Sequence, residues 1–143
     1  MSRLIAASVG GVLLCAVLCS SNSSVDAANK ADALDNETIM KRLNRKKGNE
    51  GIHYQLKLKL DEEQMAWADV AKLSKEYADL TDALCKNPRP TKGTEASWNR
   101  LSKAYAAEAK SLDEAAGKKD KAGITATYEK LCKSCQVCHD EHR

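Results

Sequence analysis

The chain has 143 residues and a net charge of +3, from 23 Lys and Arg against 20 Asp and Glu. An excess so small and so evenly spread offers no electrostatic footing for nucleic acid or an anionic membrane surface. Phe is absent, aromatic residues make up 4% and Ala supplies much of the hydrophobic count. At about 25 cal/mol per Å² of apolar surface, such side chains bury little each, and a large bound apolar group would complete the core.

Residues 1–27 read as a cleaved secretory signal: Arg3 is the positive flank, Leu4 to Leu18 the apolar run, and Val25-Asp26-Ala27 the small-residue cleavage site. The run is shorter than the roughly 20 residues a membrane-spanning helix needs, so no membrane insertion is expected. Cleavage removes one charge of each sign, Arg3 and Asp26, and leaves four of the six cysteines in a chain sent to an oxidising or cofactor-loading compartment. The remaining chain is long enough for one domain.

Residues 28–35 form a solvated leader, and residues 36–143 the domain. Asp35 or Asn36 can cap a first helix with Glu37 in its first turn and Ile39, Met40 and Leu43 on its apolar face. The stretch from Arg45 to Gly51 interrupts the pattern, and Ile52, Tyr54, Leu56, Leu58 and Leu60 then alternate like a strand. A lone strand has no partner, so a helix over 36–60 with a weak or kinked middle is the expectation.

Asp61-Glu62-Glu63-Gln64 marks the start of a second helix, whose seam is Ala66, Val70, Leu73, Tyr77, Leu80 and Leu84. Asn87-Pro88-Arg89-Pro90 stops it, because proline cannot continue a helix. Thr94 caps a third helix with Trp98, Leu101, Tyr105, Ala109, Leu112 and Ala116 on one face and Gly117 as terminator. The last helix begins near Asp120, with Gly123 a tolerated weak point, and presents Ile124, Tyr128, Leu131, Cys135 and Cys138 inward. Four helical segments with short connections predict an all-α, antiparallel up-down-up-down four-helix bundle.

The last helix carries the chemistry. Cys135-Gln136-Val137-Cys138-His139 has the spacing of a c-type haem attachment sequence. Two thiols separated by two residues reach the two vinyl groups on one porphyrin edge, and the following imidazole turns onto the iron. Cys132 extends the run to Cys132-x-x-Cys135-x-x-Cys138-His139, which keeps a zinc site in view; the other cysteine of the exported part, Cys85, is single, and zinc knuckles draw ligand pairs from two loops. One covalent haem c near the C-terminus is therefore the leading expectation.

Topology then points to the other face of the iron. In an up-down-up-down bundle the start of helix 1 and the end of helix 4 share one end, so Met40 faces the haem, as a sixth ligand or as apolar packing. Met65 begins helix 2 at the opposite end, and His53 lies about 20 Å beyond Met40 at 1.5 Å per residue. His142, one turn after His139, is expected to be exposed. Cys85 and Cys132 sit on diagonal helices in the simplest ring order, which favours two reduced thiols over a disulfide.

The sequence Cys135-Gln136-Val137-Cys138-His139 with Arg143 four residues later, on the last helix of a bundle, resembles the class II c-type cytochromes, the cytochrome c prime group. Ile39-Met40-Lys41 is similar to the segment that supplies methionine in their low-spin members. The resemblance covers about residues 36–143 and implies a periplasmic, monomeric or dimeric protein that carries one haem and exchanges electrons with a redox partner protein. Departures are the Gly-interrupted first helix and the extra Cys85 and Cys132. No acid pair, nucleophile with base or phosphate-binding loop suggests an enzyme. The rival expectations are a high-spin gas-binding haem protein with an open distal face and a secreted zinc module built on Cys132, Cys135, Cys138 and His139.

Overall fold

The structure, a computed structural model, describes residues 34–44 and 51–143; the expected signal segment, almost all of the expected leader and the interrupted stretch at 45–50 lie outside the described residues. Among the described residues the chain is all-helical, with α1 (Asn36–Asn44), α2 (Ile52–Asp61), α3 (Trp67–Lys86), α4 (Glu95–Gly117) and α5 (Lys121–His142). No described helix is long and apolar enough to cross a membrane.

At the start of α1 the Asp35 carboxylate accepts a hydrogen bond from the Thr38 amide at 2.6 Å, and this bond holds its carboxyl below the usual range. Ile39 and Leu43, four residues apart, are fully buried. The alternating stretch after Gly51 is helix. Its period of 3.6 puts Ile52 and Leu56 inward and leaves Tyr54 and Leu58 at 37% and 47% exposure, an outcome that alternation alone could not reveal.

The expected start of the next helix at Asp61 to Gln64 is corrected by the structure: α2 runs through Asp61 and α3 begins at Trp67. Lys59 bridges Glu62 and Asp69 at 3.0 and 3.1 Å, so Glu62 closes the end of α2 and ties the connection together, and it does not cap α3. Val70, Tyr77, Leu80 and Leu84 of the predicted seam are buried, whereas Ala66 is the exposed residue just before α3.

The proline turn after α3 organises one end of the molecule. Asn87 Nδ2 donates to Leu34 O at 2.7 Å, Asn36 Nδ2 donates to Pro88 O at 2.9 Å, and Trp98 Nε1 donates to Asn87 O at 3.1 Å. The starts of α1 and α4 are thereby fastened to the end of α3. Thr94 caps α4 by accepting from the Ser97 amide, and Asp120 caps α5 by accepting from the Gly123 amide at 3.0 Å. A Cβ at Gly123 would strike that Asp120 carboxylate, so the glycine serves the cap. α4 ends at Gly117, the expected terminator, and the left-handed residue between α4 and α5 is Lys119, φ 56°.

α3 runs antiparallel to α2 and to α4, and α5 runs antiparallel to α4. Ser74 pairs with Asp113 and Tyr77 with Tyr105 between α3 and α4; Ser134 pairs with Glu108 and Cys135 with Tyr105 between α4 and α5. Lys59 with Asp69 and His53 with Tyr77 set the same sense between α2 and α3. The start of α1, the end of α3, the start of α4 and the end of α5 therefore share one end. Tyr77, Leu56, Leu84, Leu112, Ile124 and Leu131 form the fully buried centre.

Candidate functional site

Along α5 the inward positions Ile124, Tyr128 and Leu131 are buried, and the next two, Cys135 and Cys138, are half-buried against the same core. At that end a small apolar pocket is lined by Met40 of α1, Leu84 of α3, Ser102 and Tyr105 of α4, and Ser134, Cys135, Cys138 and His139 of α5. All four residues singled out from the sequence thus line one pocket. Met65 and His53 are absent from its lining, in line with their expected distance.

The side chains are held individually. Asn44 Nδ2 donates to Met40 Sδ at 3.8 Å from one turn further along α1, which occupies one lone pair and leaves the other free to act as a donor to a metal. Cys135 Sγ donates to Tyr105 Oη at 3.3 Å. Burial pushes the Cys135 and Cys138 thiols up, so both stay protonated at neutral pH. Ser102 Oγ is buried and finds no hydrogen-bond partner among the described residues.

The donor set fits a covalently held haem: two thiols at the right spacing, an imidazole beside them, and a thioether sulfur from another helix within the same apolar lining. The fit in volume depends on the walls. The pocket holds about 20 Å³, room for roughly one water, so a porphyrin enters only as the walls part. The α1 wall is nine residues long and packs on α2 and α3. Arg42 to Glu76 at 2.7 Å and the Asn36 bond tie it to α3 and the proline turn.

The zinc arrangement fares worse on geometry. Cys132 and Cys138 lie six residues apart on one continuous helix, about 9 Å along its axis. Two sulfurs on one zinc can be at most about 4.6 Å apart. Among the described residues no group of three His, Cys, Asp or Glu side chains is disposed to hold a metal ion. Cys85, Cys132, Cys135 and Cys138 are all free thiols.

His142 corrects a second expectation: it is 6% exposed. Its Nδ1 meets Lys92 O at 3.0 Å, its Nε2 meets Ser97 Oγ at 3.0 Å, and its ring stands edge-on to Trp98. Gly93, at φ +84°, lets the ring in, since a Cβ there would collide with it. The end of α5 is thus latched to the start of α4 beside His139.

Sequence reasoning missed one cluster. His53 stacks on Tyr128 at 4.6 Å between ring centroids, and its Nδ1 lies 3.5 Å from Tyr77 Oη. Tyr77 Oη is 2.5 Å from Tyr105 Oη, and His53 Nε2 is 3.6 Å from Cys132 Sγ. The expected helix over 36–60 placed His53 only by its distance from Met40, and no pattern within that helix announces its partners on α3 and α5. Burial lowers the His53 pKa from its ordinary 6.5. The folded state then binds fewer protons than the unfolded state between those two values, so stability falls as pH drops from about 7 through 6.5 and levels off below the folded pKa. Thermal melts from pH 7.5 to 5 should show this slope, and His53→Gln should flatten it.

A larger groove of about 610 Å³ between α1, α2 and α3 contains none of the predicted site residues, and three of its cations are already paired, Lys41 with Glu37, Arg42 with Glu76 and Lys59 with Asp69. No protein-family model, no curated protein and no solved structure matches this chain.

Proposed function

We propose that the chain is an exported, periplasmic monohaem c-type cytochrome of the class II kind, passing single electrons to and from a redox partner protein. The observation that supports this reading is the convergence of Met40, Cys135, Cys138 and His139 on one apolar pocket. Cys135 and Cys138 would hold the haem as thioethers, His139 would bind its iron, and Met40 would serve as a second iron ligand or as apolar packing. The bound haem supplies one-electron ferric–ferrous chemistry.

The protein's part is to orient and insulate. Leu84 and Tyr105 line the pocket with apolar surface, Asn44 steadies the Met40 sulfur, and the His142 latch fixes the helix end that carries His139. Histidine–methionine ligation in a low-dielectric pocket raises the potential, since it disfavours the extra charge of the ferric state. On this reading α1 and α2 are one interrupted first helix, and with α3, α4 and α5 they make the antiparallel four-helix bundle. The exposed Lys130, Lys133 and Arg143 near the end of α5 steer an acidic partner.

An absorption spectrum before and after acid-acetone extraction, with iron and zinc assays, tests the reading. Colour that stays with the protein, at one iron per chain, is the expected result; zinc without colour would overturn it. Met40→Ala should turn a low-spin ferric spectrum high-spin and admit carbon monoxide to the reduced protein. An unchanged spectrum would leave Met40 only a packing role, and a parent that is already high-spin would favour the open-faced gas binder.

A further inference from the structure

Cys132 is the thiol that haem attachment does not use, and its surroundings differ from those of the other thiols. It is exposed, its sulfur lies 3.6 Å from His53 Nε2, and Cys135 sits one helical turn later on α5. The other nitrogen of His53 meets Tyr77 Oη, Tyr77 meets Tyr105, and Tyr105 meets the Cys135 thiol at 3.3 Å. The contacts close into a ring: Cys132, His53, Tyr77, Tyr105, Cys135. A thiol beside a base that is itself oriented by a third group is the arrangement of an activated nucleophile. Here the third group leads on to a second thiol.

We infer that Cys132 is a thiol–disulfide exchange site, with His53 as its base and Cys135 as its resolving thiol, acting on small disulfides. In the first step Cys132 Sγ attacks one sulfur of a disulfide RSSR; an S–S bond forms at Cys132, the RS–SR bond breaks, and the Cys132 proton passes through His53 to the departing RS⁻. In the second step Cys135 Sγ attacks the Cys132 sulfur and displaces the second RS⁻. Its proton leaves through Tyr105, Tyr77 and His53. The chain loses two thiol hydrogens and gains one disulfide, while RSSR is reduced to two RSH.

The Tyr128 hydroxyl and the charge of Lys57 favour the Cys132 thiolate, against Glu129 and a burial effect that keeps the resting thiol above its ordinary range. The resting dyad is therefore neutral, and the base is needed. Side chains one turn apart on a helix have Cβ atoms about 5–6 Å apart, and a disulfide needs about 3.5–4.5 Å, so closure tightens this turn and gives a readily reduced bond. The first step needs no haem. The second needs a free Cys135, so on the haem reading the loaded protein stops at the mixed disulfide, and attachment and closure compete for one sulfur.

The experiment is oxidised glutathione added to the full chain at pH 7.5, with peptide mapping over time. Cys85, half-buried and with no histidine partner among the described residues, is the reference thiol within the same molecule. Glutathione is expected on Cys132 first, at least about fivefold faster than on Cys85, and His53→Gln should remove most of that advantage. In full chain produced without haem, a Cys132–Cys135 disulfide should form next, and Tyr105→Phe should slow this closure more than it slows the first step. Circular dichroism checks that each variant keeps its helices; if His53→Gln loses them, His53→Asn and the parent's Cys132 to Cys85 ratio decide. Equal rates at Cys132 and Cys85, an unaltered ratio in the folded histidine variants, or closure between Cys135 and Cys138 would overturn the inference. A colourless protein that still shows the Cys132 chemistry would sink the haem proposal alone.

Discussion

Replacing Cys135 and Cys138 together with alanine is expected to abolish covalent haem, leaving no colour on the protein after acid-acetone extraction where the parent retains one haem per chain. Each single replacement should leave one thioether or none, with a shifted absorption maximum. The helices are expected to persist in the double variant, because the deepest residues, Tyr77, Leu56, Leu112, Ile124 and Leu131, do not line the pocket. The composition suggested instead that a porphyrin must complete the core. Tyrosines and leucines at helical spacing fill it further down, and the pocket takes only Leu84, Ser102 and Tyr105 from the buried set. The double variant should therefore keep its far-ultraviolet circular dichroism and melt below the haem-loaded parent, since a group bound to the native state alone stabilises that state. Colour surviving extraction in the double variant would refute thioether attachment.

What could be read from the sequence depends on the strength of the local signals. Thr94 and Asp120 placed the starts of α4 and α5 because a side-chain oxygen three residues ahead of an orphan amide is a local device, independent of the rest of the fold. Pro88 and Pro90 placed the end of α3 for a similar reason. The start of α3 was misplaced because Asp61-Glu62-Glu63-Gln64 reads as a helix start, whereas Asp61 ends α2 and the Glu62 carboxylate goes to Lys59, a partner set by the α2 connection. His142 looked exposed because its partners, Lys92 O and Ser97, come from a turn about fifty residues away, and no period within α5 announces them. Met40 was found for the opposite reason: its place is set by chain direction, which short connections between antiparallel helices fix before any side chain is considered.

Tyr77 is the position where a single substitution should cost most. It is fully buried at the crossing of α2, α3 and α4, its ring meets Tyr105 edge-on at 6.0 Å between centroids, and its hydroxyl joins Tyr105 to His53. Tyr77→Ala removes a large aromatic body and leaves a cavity, an expected loss of about 3–5 kcal/mol. Set against a total stability of about 5–15 kcal/mol, that brings the chain close to unfolding and lowers its melting temperature by well over about 10 °C. Tyr77→Phe keeps the ring and deletes only the oxygen, leaving Tyr105 Oη and His53 Nδ1 short of a partner, at a cost of about 1–3 kcal/mol. Burial pushes the Tyr77 pKa far above the usual tyrosine range, so its own hydroxyl stays neutral and does not titrate across the neutral range. Urea denaturation of parent, Phe and Ala variants at pH 7 gives the ranking. A Phe variant as stable as the parent would show that the hydroxyl chain adds nothing to the fold, and an Ala variant losing less than about 2 kcal/mol would show that the core is centred elsewhere.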